Sequence, residues 1–525
     1  MLENTPLDIP KWFVSFGAII FIRLLLENLL LGYEGKTISS MIGSFLHTLT
    51  FFAFSFLVIT VVFCQYLKIS FQTVARVFLW GQWIILLPPV VDAAIFRGKT
   101  FYSFYIFDSY QGILQRFFLL FGNEPDFGIT YGTRLEVVLV SLLVAFYVFV
   151  KTKKITKALG GLFIAYLVLF LLGCFPAIIS PFLSGNFYFD AVSLAKLYFS
   201  PYRVFGVGNV DMFSALHFRM SLLYILGIFL LLNGVLWMKD KLLWKALFRN
   251  IRFPQMSFNG GLLVIGMLLG AYYYPQNVNL STFSFLSAVV LLLAVFSAWF
   301  FSVFINDIAD QKIDLVTNSS RPLVKNIFTL KQYWDYSLIF FILSLTAALI
   351  VSVPHFLIVV CYHFLTTVYS YPPFRLKRFL GVASIISSFS SLLILLMGFI
   401  LMSDQQGLAD FPWRIYWALF VCYIFIIPLK DLKDIEGDRG DGVFTLAVML
   451  GETKTRLVIA IFVLCAYFVS VFVLYERALF LPAFVFGSLN YWIITNKKIN
   501  NKNILGYTLL TVSVYGFLMA GILFG

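Results

Sequence analysis

Fifteen stretches of this chain are apolar for long enough to cross the roughly 30 Å hydrocarbon core of a bilayer, and that feature limits the fold more than any other. In lipid a backbone can meet its hydrogen-bonding needs only as a helix or a closed barrel, and runs of this length predict helices. Six lie at about 11–32, 43–66, 77–96, 134–150, 158–180 and 218–237. Nine more lie at about 258–274, 282–305, 332–350, 354–370, 379–402, 413–429, 456–475, 478–495 and 503–524. A shorter run near 110–122 reads as a helix lying in the interface. The expectation is an all-α polytopic membrane protein. Only 12% of its residues are charged, too few to cover the surface of soluble domains.

The stretch KDKLLWKALFRNIRFPQM separates the two groups of spans and carries Lys239, Lys241, Lys245, Arg249 and Arg252. It divides the chain into a multi-span domain at 1–238, a basic interfacial linker at 239–257 and a second domain at 258–525. With the linker in the cytoplasm and the nine later spans alternating, twenty Lys and Arg residues fall on its side. Only Arg414 and Arg477 fall on the other. Positive charge concentrated on one side marks the cytoplasmic face. The net charge of +13 therefore reports topology and contact with anionic lipid, and no nucleic-acid partner is expected. The first residues, MLENTPLDIPKW, are acidic and lack a small-residue cleavage site, so no removable signal peptide is expected. The five cysteines and four histidines are dispersed without metal-ligand spacing, which argues against a histidine metal site.

Carboxylates beside a membrane need a reason. From Asp240 onward there are 14 acidic residues, and nine lie in two loops. FINDIADQKIDLVTNSSRPLVKN holds Asp307, Asp310 and Asp314. PLKDLKDIEGDRGDGVFTLAVMLG holds Asp431, Asp434, Glu436, Asp438 and Asp441, and Glu452 follows it directly. Spacings of three and four put Asp307, Asp310 and Asp314 on one helical face, and likewise Asp431, Asp434 and Asp438. Such a face repels itself unless cations sit on it. Hard ions such as Mg²⁺ prefer carboxylate oxygens and keep positions open for phosphate. Two such faces on one side of the membrane predict a divalent-metal clamp on a diphosphate, with Arg321, Lys325, Arg375, Lys377 and Arg378 available to complete the neutralisation.

NDxxDxxxD at Asn306–Asp314 after a second span, and DxxxD at Asp434–Asp438 after a sixth, resemble the UbiA superfamily of intramembrane prenyltransferases. Arg321-Pro322-Leu323, YSYPPFRLKR at Tyr369–Arg378, and Thr445-Leu446 with Gly451 strengthen the likeness, which covers about 255–525. The resemblance implies a nine-helix UbiA-type bundle with a lipid-open cavity, preceded here by about six transmembrane helices. It implies Mg²⁺-dependent transfer of a prenyl group from a prenyl diphosphate to an acceptor drawn from the membrane, at a site facing the cytoplasm. Asn306, Asp307 and Asp310 would hold one Mg²⁺ with Asp314 in support. Asp434 and Asp438 would hold the other, extended by Asp431. Asp307, Asp310, Asp434 and Asp438 are thus the expected catalytic set. Arg321 and Lys377 are expected on the diphosphate. Tyr371 either orients the acceptor or shields the allylic cation, or else shapes the turn before Pro372-Pro373.

The second motif looks like the homogentisate and quinone-forming branches, so an aromatic or quinone-precursor acceptor is expected. Alternatives are a glycerol-phosphate or other lipid hydroxyl, or a non-catalytic prenyl-lipid-binding scaffold or transporter fusion. One departure is Asn326, where relatives carry glycine; Asn tolerates a left-handed backbone better than most residues. The first domain carries none of these motifs. Its Arg23 and Glu27 read as snorkelling side chains, with an intrahelical ion pair as the other possibility. Asp92, Asp108 and Asp190 read as ordinary interfacial residues.

Overall fold

The computed structural model describes residues 8–31, 37–96, 110–122, 129–185, 191–210, 212–317, 321–379, 381–403, 408–433, 435–440 and 442–524. Among these the chain is helical except for irregular connections and one short two-stranded ribbon, Tyr202–Val204 with Val207–Val210. Among the described residues fifteen helical segments are long and apolar enough to span a bilayer, six before residue 240 and nine after. This is a multi-pass integral membrane protein. It divides into two compact units. The first comprises the described residues of Met1–Arg203, Gly208–Lys241 and Ser281–Leu286, and the second those of Val204–Val207, Leu242–Leu280 and Ser287–Gly525.

In the first unit the spans are Ile9–Leu30, Ile38–Leu67, Phe71–Ile95, Tyr131–Thr152, Ile155–Gly173 and Ser214–Lys239. Thr37, Ser70 and Thr130 cap three of them, each hydroxyl accepting from the backbone N–H three residues on. Two expected spans are interrupted. The third tightens to a 3₁₀ turn at Gln82–Leu86 and resumes as a helix at Leu87, with Pro88 and Pro89 in its first turn. The fifth stops at Gly173, and a separate helix, Phe175–Ser184, begins with Pro176. Proline suits a first turn, where its missing N–H has no intrahelical acceptor to lose. The interfacial run near 110–122 forms a helix over Tyr110–Phe118.

The first break supplies a partner for a half-buried charge. Arg23 does not snorkel. It pairs with Glu27 at 3.0 Å and Glu136 at 3.5 Å, and donates to the Ile85 carbonyl at 2.5 Å, inside the 3₁₀ turn. Asp92 is 6% exposed and accepts from the Gly132 N–H at 2.8 Å, holding the start of the fourth span. Asp108 and Asp190 lie outside the described residues. The histidines are not all apart: His47 and His217 bring their Nδ1 atoms to 2.6 Å, one ring donating to the other.

The nine later spans, numbered one to nine, are Phe253–Tyr273, Thr282–Ala309, Leu330–Val351, Val353–Ser370, Val382–Met402, Trp413–Lys433, Glu452–Leu474, Arg477–Thr495 and Asn503–Leu523; they belong to the second unit except for the start of span two, up to Leu286. Spans one and five meet backbone to backbone. A Cβ on Gly266 would lie 2.0 Å from the Leu395 carbonyl oxygen, and one on Gly398 would lie 2.0 Å from that of Leu263. Small residues allow this approach where packing, rather than water, drives helix association. Elsewhere polar side chains join helices. Asn490 of span eight donates to the Tyr467 hydroxyl of span seven at 2.7 Å, and Thr511 of span nine donates to Asn490 at 2.9 Å. Arg456, 4% exposed, fastens the connection between spans eight and nine through the carbonyls of Asn496 and Ile499.

Candidate active site

The first acidic motif begins inside span two and passes through a short break into the helix Gln311–Thr317. Backbone bonds from Asp310 N–H to Asn306 O (2.9 Å) and from Asp314 N–H to Asp310 O (2.8 Å) carry helical spacing across the break. The three aspartates therefore stay on one face, as their spacing predicts. They are buried: Asp307 is 1% exposed, Asp314 3% and Asp310 9%. Helix Gln311–Thr317 packs against Ile435–Gly440, the helix of the second motif. The two acidic segments, 120 residues apart in sequence, are thus neighbours. Asp431 sits half-buried on the turn Ile427–Lys433. Asp434 and Asp441 lie outside the described residues, as does the side chain of Asp438.

Two loops bring cations to this face. After the first motif the chain turns at Asn326, whose φ of 55° is left-handed. The expected tolerance of Asn for that conformation is realised there. Bonds from Lys325 N–H to Arg321 O and from Ile327 N–H to Pro322 O close the turn. It delivers Arg321, which bonds to Asp307 Oδ1 and lies 3.9 Å from Asp314 Oδ1. The second loop leaves span four. Ser370 donates to Asn306 Oδ1 at 3.1 Å. The chain then passes the cis Pro372-Pro373 bond and a left-handed Arg375, φ 43°. Arg375 reaches Asp310 Oδ1 at 3.2 Å, and Lys377 contacts the same oxygen and Asn306 Oδ1 at 3.5 Å. The Phe444 N–H, from beyond the second motif, donates to Arg378 O at 3.2 Å and ties this loop down. Tyr371 packs its ring edge-on against Trp334 of span three, centroids 5.7 Å apart.

Sequence reasoning missed several partners. Arg252, counted as a topological cation of the linker, bonds Asp307 Oδ1 at 2.6 Å. Asn250 donates to Asp307 Oδ2 at 3.0 Å, and the buried Tyr333 hydroxyl donates to the same oxygen at 3.4 Å. Lys430 donates to the Tyr369 hydroxyl at 2.7 Å and to Ser387 at 3.3 Å, linking the ends of spans four, five and six. Arg252 was legible as a basic residue; nothing in the local pattern marked Asn250 or Tyr333.

The motif oxygens therefore gather around positive centres. Lys377 is shared by Asn306 and Asp310, and Arg321 lies between Asp307 and Asp314. Among the described residues no three His, Cys, Asp or Glu side chains meet at one point; guanidinium and ammonium groups stand among the carboxylates. Carboxylate and amide oxygens that already converge on cations are the hard donor set that Mg²⁺ takes. A buried carboxylate face with four cations reaching it also suits a polyanion such as a diphosphate.

Residues 262–503 match the UbiA prenyltransferase family. The chain is 30% identical over 213 residues to a 2-acylphloroglucinol 4-prenyltransferase of Humulus lupulus, covering 38% of this chain and 49% of that protein. It is 26% identical over 158 residues to a digeranylgeranylglyceryl phosphate synthase of Pyrococcus horikoshii, covering 30% and 54%. It is 30% identical over 153 residues to a probable homogentisate phytyltransferase 2 of Oryza sativa subsp. japonica, covering 28% and 40%. The chain spans about half the length of the curated relatives it matches. A solved UbiA homolog from Archaeoglobus fulgidus, bound to DMAPP and Mg²⁺, aligns at a TM-score of 0.41 and 21% identity, over 52% of this chain and 99% of that one.

Proposed function

With residues 262–503 forming a UbiA prenyltransferase family domain, we propose that this chain transfers a prenyl group from a prenyl diphosphate to an aromatic or quinone-precursor acceptor within the membrane. The observation that carries the reading is the convergence of Asn306, Asp307, Asp310 and Asp314 oxygens on half-buried cations at one end of the bundle. Asn306, Asp307 and Asp310 would hold one Mg²⁺ with support from Asp314, and Asp431, Asp434 and Asp438 the second. When bound, Mg²⁺ neutralises the diphosphate and stabilises it as a leaving group.

The chain's own cations do the rest of the electrostatic work. Arg321, Arg375 and Lys377 already stand among the motif carboxylates, within reach of the diphosphate oxygens as charge develops on them. The bond from the allylic carbon to the diphosphate oxygen breaks, and its electron pair leaves with the diphosphate. The acceptor then supplies the pair for the new bond and loses a proton. The surrounding spans keep water from the allylic cation. Tyr371, beside Trp334, is assigned to the acceptor side.

Under this reading 258–525 is the transferase domain, 239–257 its basic linker and 1–238 a separate multi-span domain. The distribution of Lys and Arg supports a site on the cytoplasmic side. A glycerol-phosphate acceptor is the second reading, supported by the similarity to digeranylgeranylglyceryl phosphate synthases. The test is pyrophosphate release by purified protein in lipid, with a panel of prenyl diphosphates against aromatic, glycerol-phosphate and no acceptor. Release requiring Mg²⁺ and an aromatic acceptor, and lost in Asp310→Ala and Asp434→Ala, is expected. Release only with glycerol phosphate would select the second reading. No release from folded, donor-binding protein would leave a prenyl-lipid-binding scaffold.

A further inference from the structure

Asp307 is held differently at its two oxygens. Oδ1 takes cations, Arg252 at 2.6 Å and Arg321, whose side chains are 26% and 13% exposed. Oδ2 takes neutral donors, Asn250 Nδ2 at 3.0 Å and the Tyr333 hydroxyl at 3.4 Å. Asn250 also donates to the Tyr333 oxygen at 3.3 Å, so the three groups close a ring of hydrogen bonds. Tyr333 is fully buried against the rings of Phe304 and Phe328, and Asn250 is 7% exposed.

The two sides differ in what can replace them. A cation on Oδ1 can give way to another cation without leaving the carboxylate uncompensated. A buried neutral donor on Oδ2 has no water to take its place, and losing it leaves a buried acceptor unmet. The fixed side therefore sets the carboxylate's orientation, and the exchangeable side is the one offered to an incoming ion.

From this asymmetry we infer that Asn250 and Tyr333 are positioning residues that lock Asp307 by Oδ2 and present Oδ1 to Mg²⁺. The inference rests on the prenyl-transfer reading. It places part of the metal site outside the family-matching segment, which begins at residue 262: the linker, through Asn250, helps build it. Hydrogen bonds that orient metal ligands typically account for 10–100-fold in metal affinity.

The experiment uses the full chain in lipid nanodiscs and Mn²⁺ as a paramagnetic substitute, titrated with inorganic pyrophosphate present and free Mn²⁺ read by electron paramagnetic resonance. Wild type is expected to bind and Asp307→Ala to lose binding. Tyr333→Phe keeps the ring and removes only the hydroxyl; Asn250→Ala removes the amide. Each is expected to weaken Mn²⁺ binding by about tenfold or more. In Tyr333→Phe saturating Mg²⁺ should restore turnover, so that the metal midpoint moves while kcat does not. A merely structural role would lower the folded fraction without moving that midpoint. Wild-type Mn²⁺ affinity in Tyr333→Phe, or in both variants, overturns the inference and leaves the functional reading standing. Absence of Mn²⁺ binding in wild type overturns both.

Discussion

Replacing Asp310 by Asn keeps the side chain's size and removes the charge to which Arg375 (3.2 Å) and Lys377 are bound. All three side chains are 10–12% exposed, so solvent screens them little. A hydrogen bond to a charged group contributes about 1.5–3 kcal/mol, against about 0.5–1.5 for a neutral one. Two such bonds then lose roughly 2–3 kcal/mol together. At 1.4 kcal/mol per decade that is about 30- to 150-fold in the docked-to-undocked ratio of the loop at 371–379. The loss falls on this loop because its backbone is already strained at Arg375. Arg375, Lys377 and Arg378 are themselves tryptic sites. Limited trypsinolysis in nanodiscs, with fragments identified by mass spectrometry, measures the open population when opening is fast relative to cleavage. Cleavage in this loop should rise by at least about 30-fold, while cleavage at Lys497 and Lys498 should not change. Wild-type cleavage in Asp310→Asn, alongside abolished pyrophosphate release, would show that the carboxylate serves the chemistry without holding the loop. The ion-pair reasoning would then be wrong.

Three further outcomes are expected. Asn326→Gly should leave the thermal midpoint nearly unchanged, whereas Asn326→Val should lower stability by about 1–2 kcal/mol, because φ there is 55°. Gly266→Ala should sharply reduce the folded fraction recovered by size-exclusion chromatography, since its methyl would meet the Leu395 carbonyl; Gly261→Ala, with nothing within 4 Å, is the matched control. EDTA should stop pyrophosphate release until Mg²⁺ is restored, with the helical circular-dichroism signal unchanged. Arg252, Arg321, Arg375 and Lys377 compensate the carboxylates without metal.

The spans and the first acidic face were legible because each is a local pattern: an apolar run set by bilayer thickness, and carboxylates three and four residues apart. The breaks at 82–86 and Cys174 were not, because a proline permits a new helix start without requiring one. The locking of Asp307 was invisible for a different reason. Asn250, Asp307 and Tyr333 come from three separate segments, and their joint role exists only once those segments meet. Arg252 was visible but misassigned, since a cation near a membrane satisfies the topology rule whether or not it also binds a carboxylate. Span five shows the limit of hydropathy itself. Of its most apolar window 78% is buried, against 28% for the more apolar span seven; an apolar helix reads the same whether lipid or protein surrounds it.

The contact between spans one and five has a consequence for the order of assembly. Span one enters the membrane before its partner has been made. Gly266 meets the Leu395 carbonyl and Gly398 meets that of Leu263, some 130 residues further along the chain. At a synthesis rate of about 5–20 residues per second, the glycine-lined stripe of span one waits roughly 7–26 s for the helix that covers it. Spans two, three and four are inserted during that interval. This half of the protein therefore cannot mature by adding each helix to the one before. The close contact of span one forms only when span five arrives, and until then lipid or the insertion machinery must cover its bare backbone.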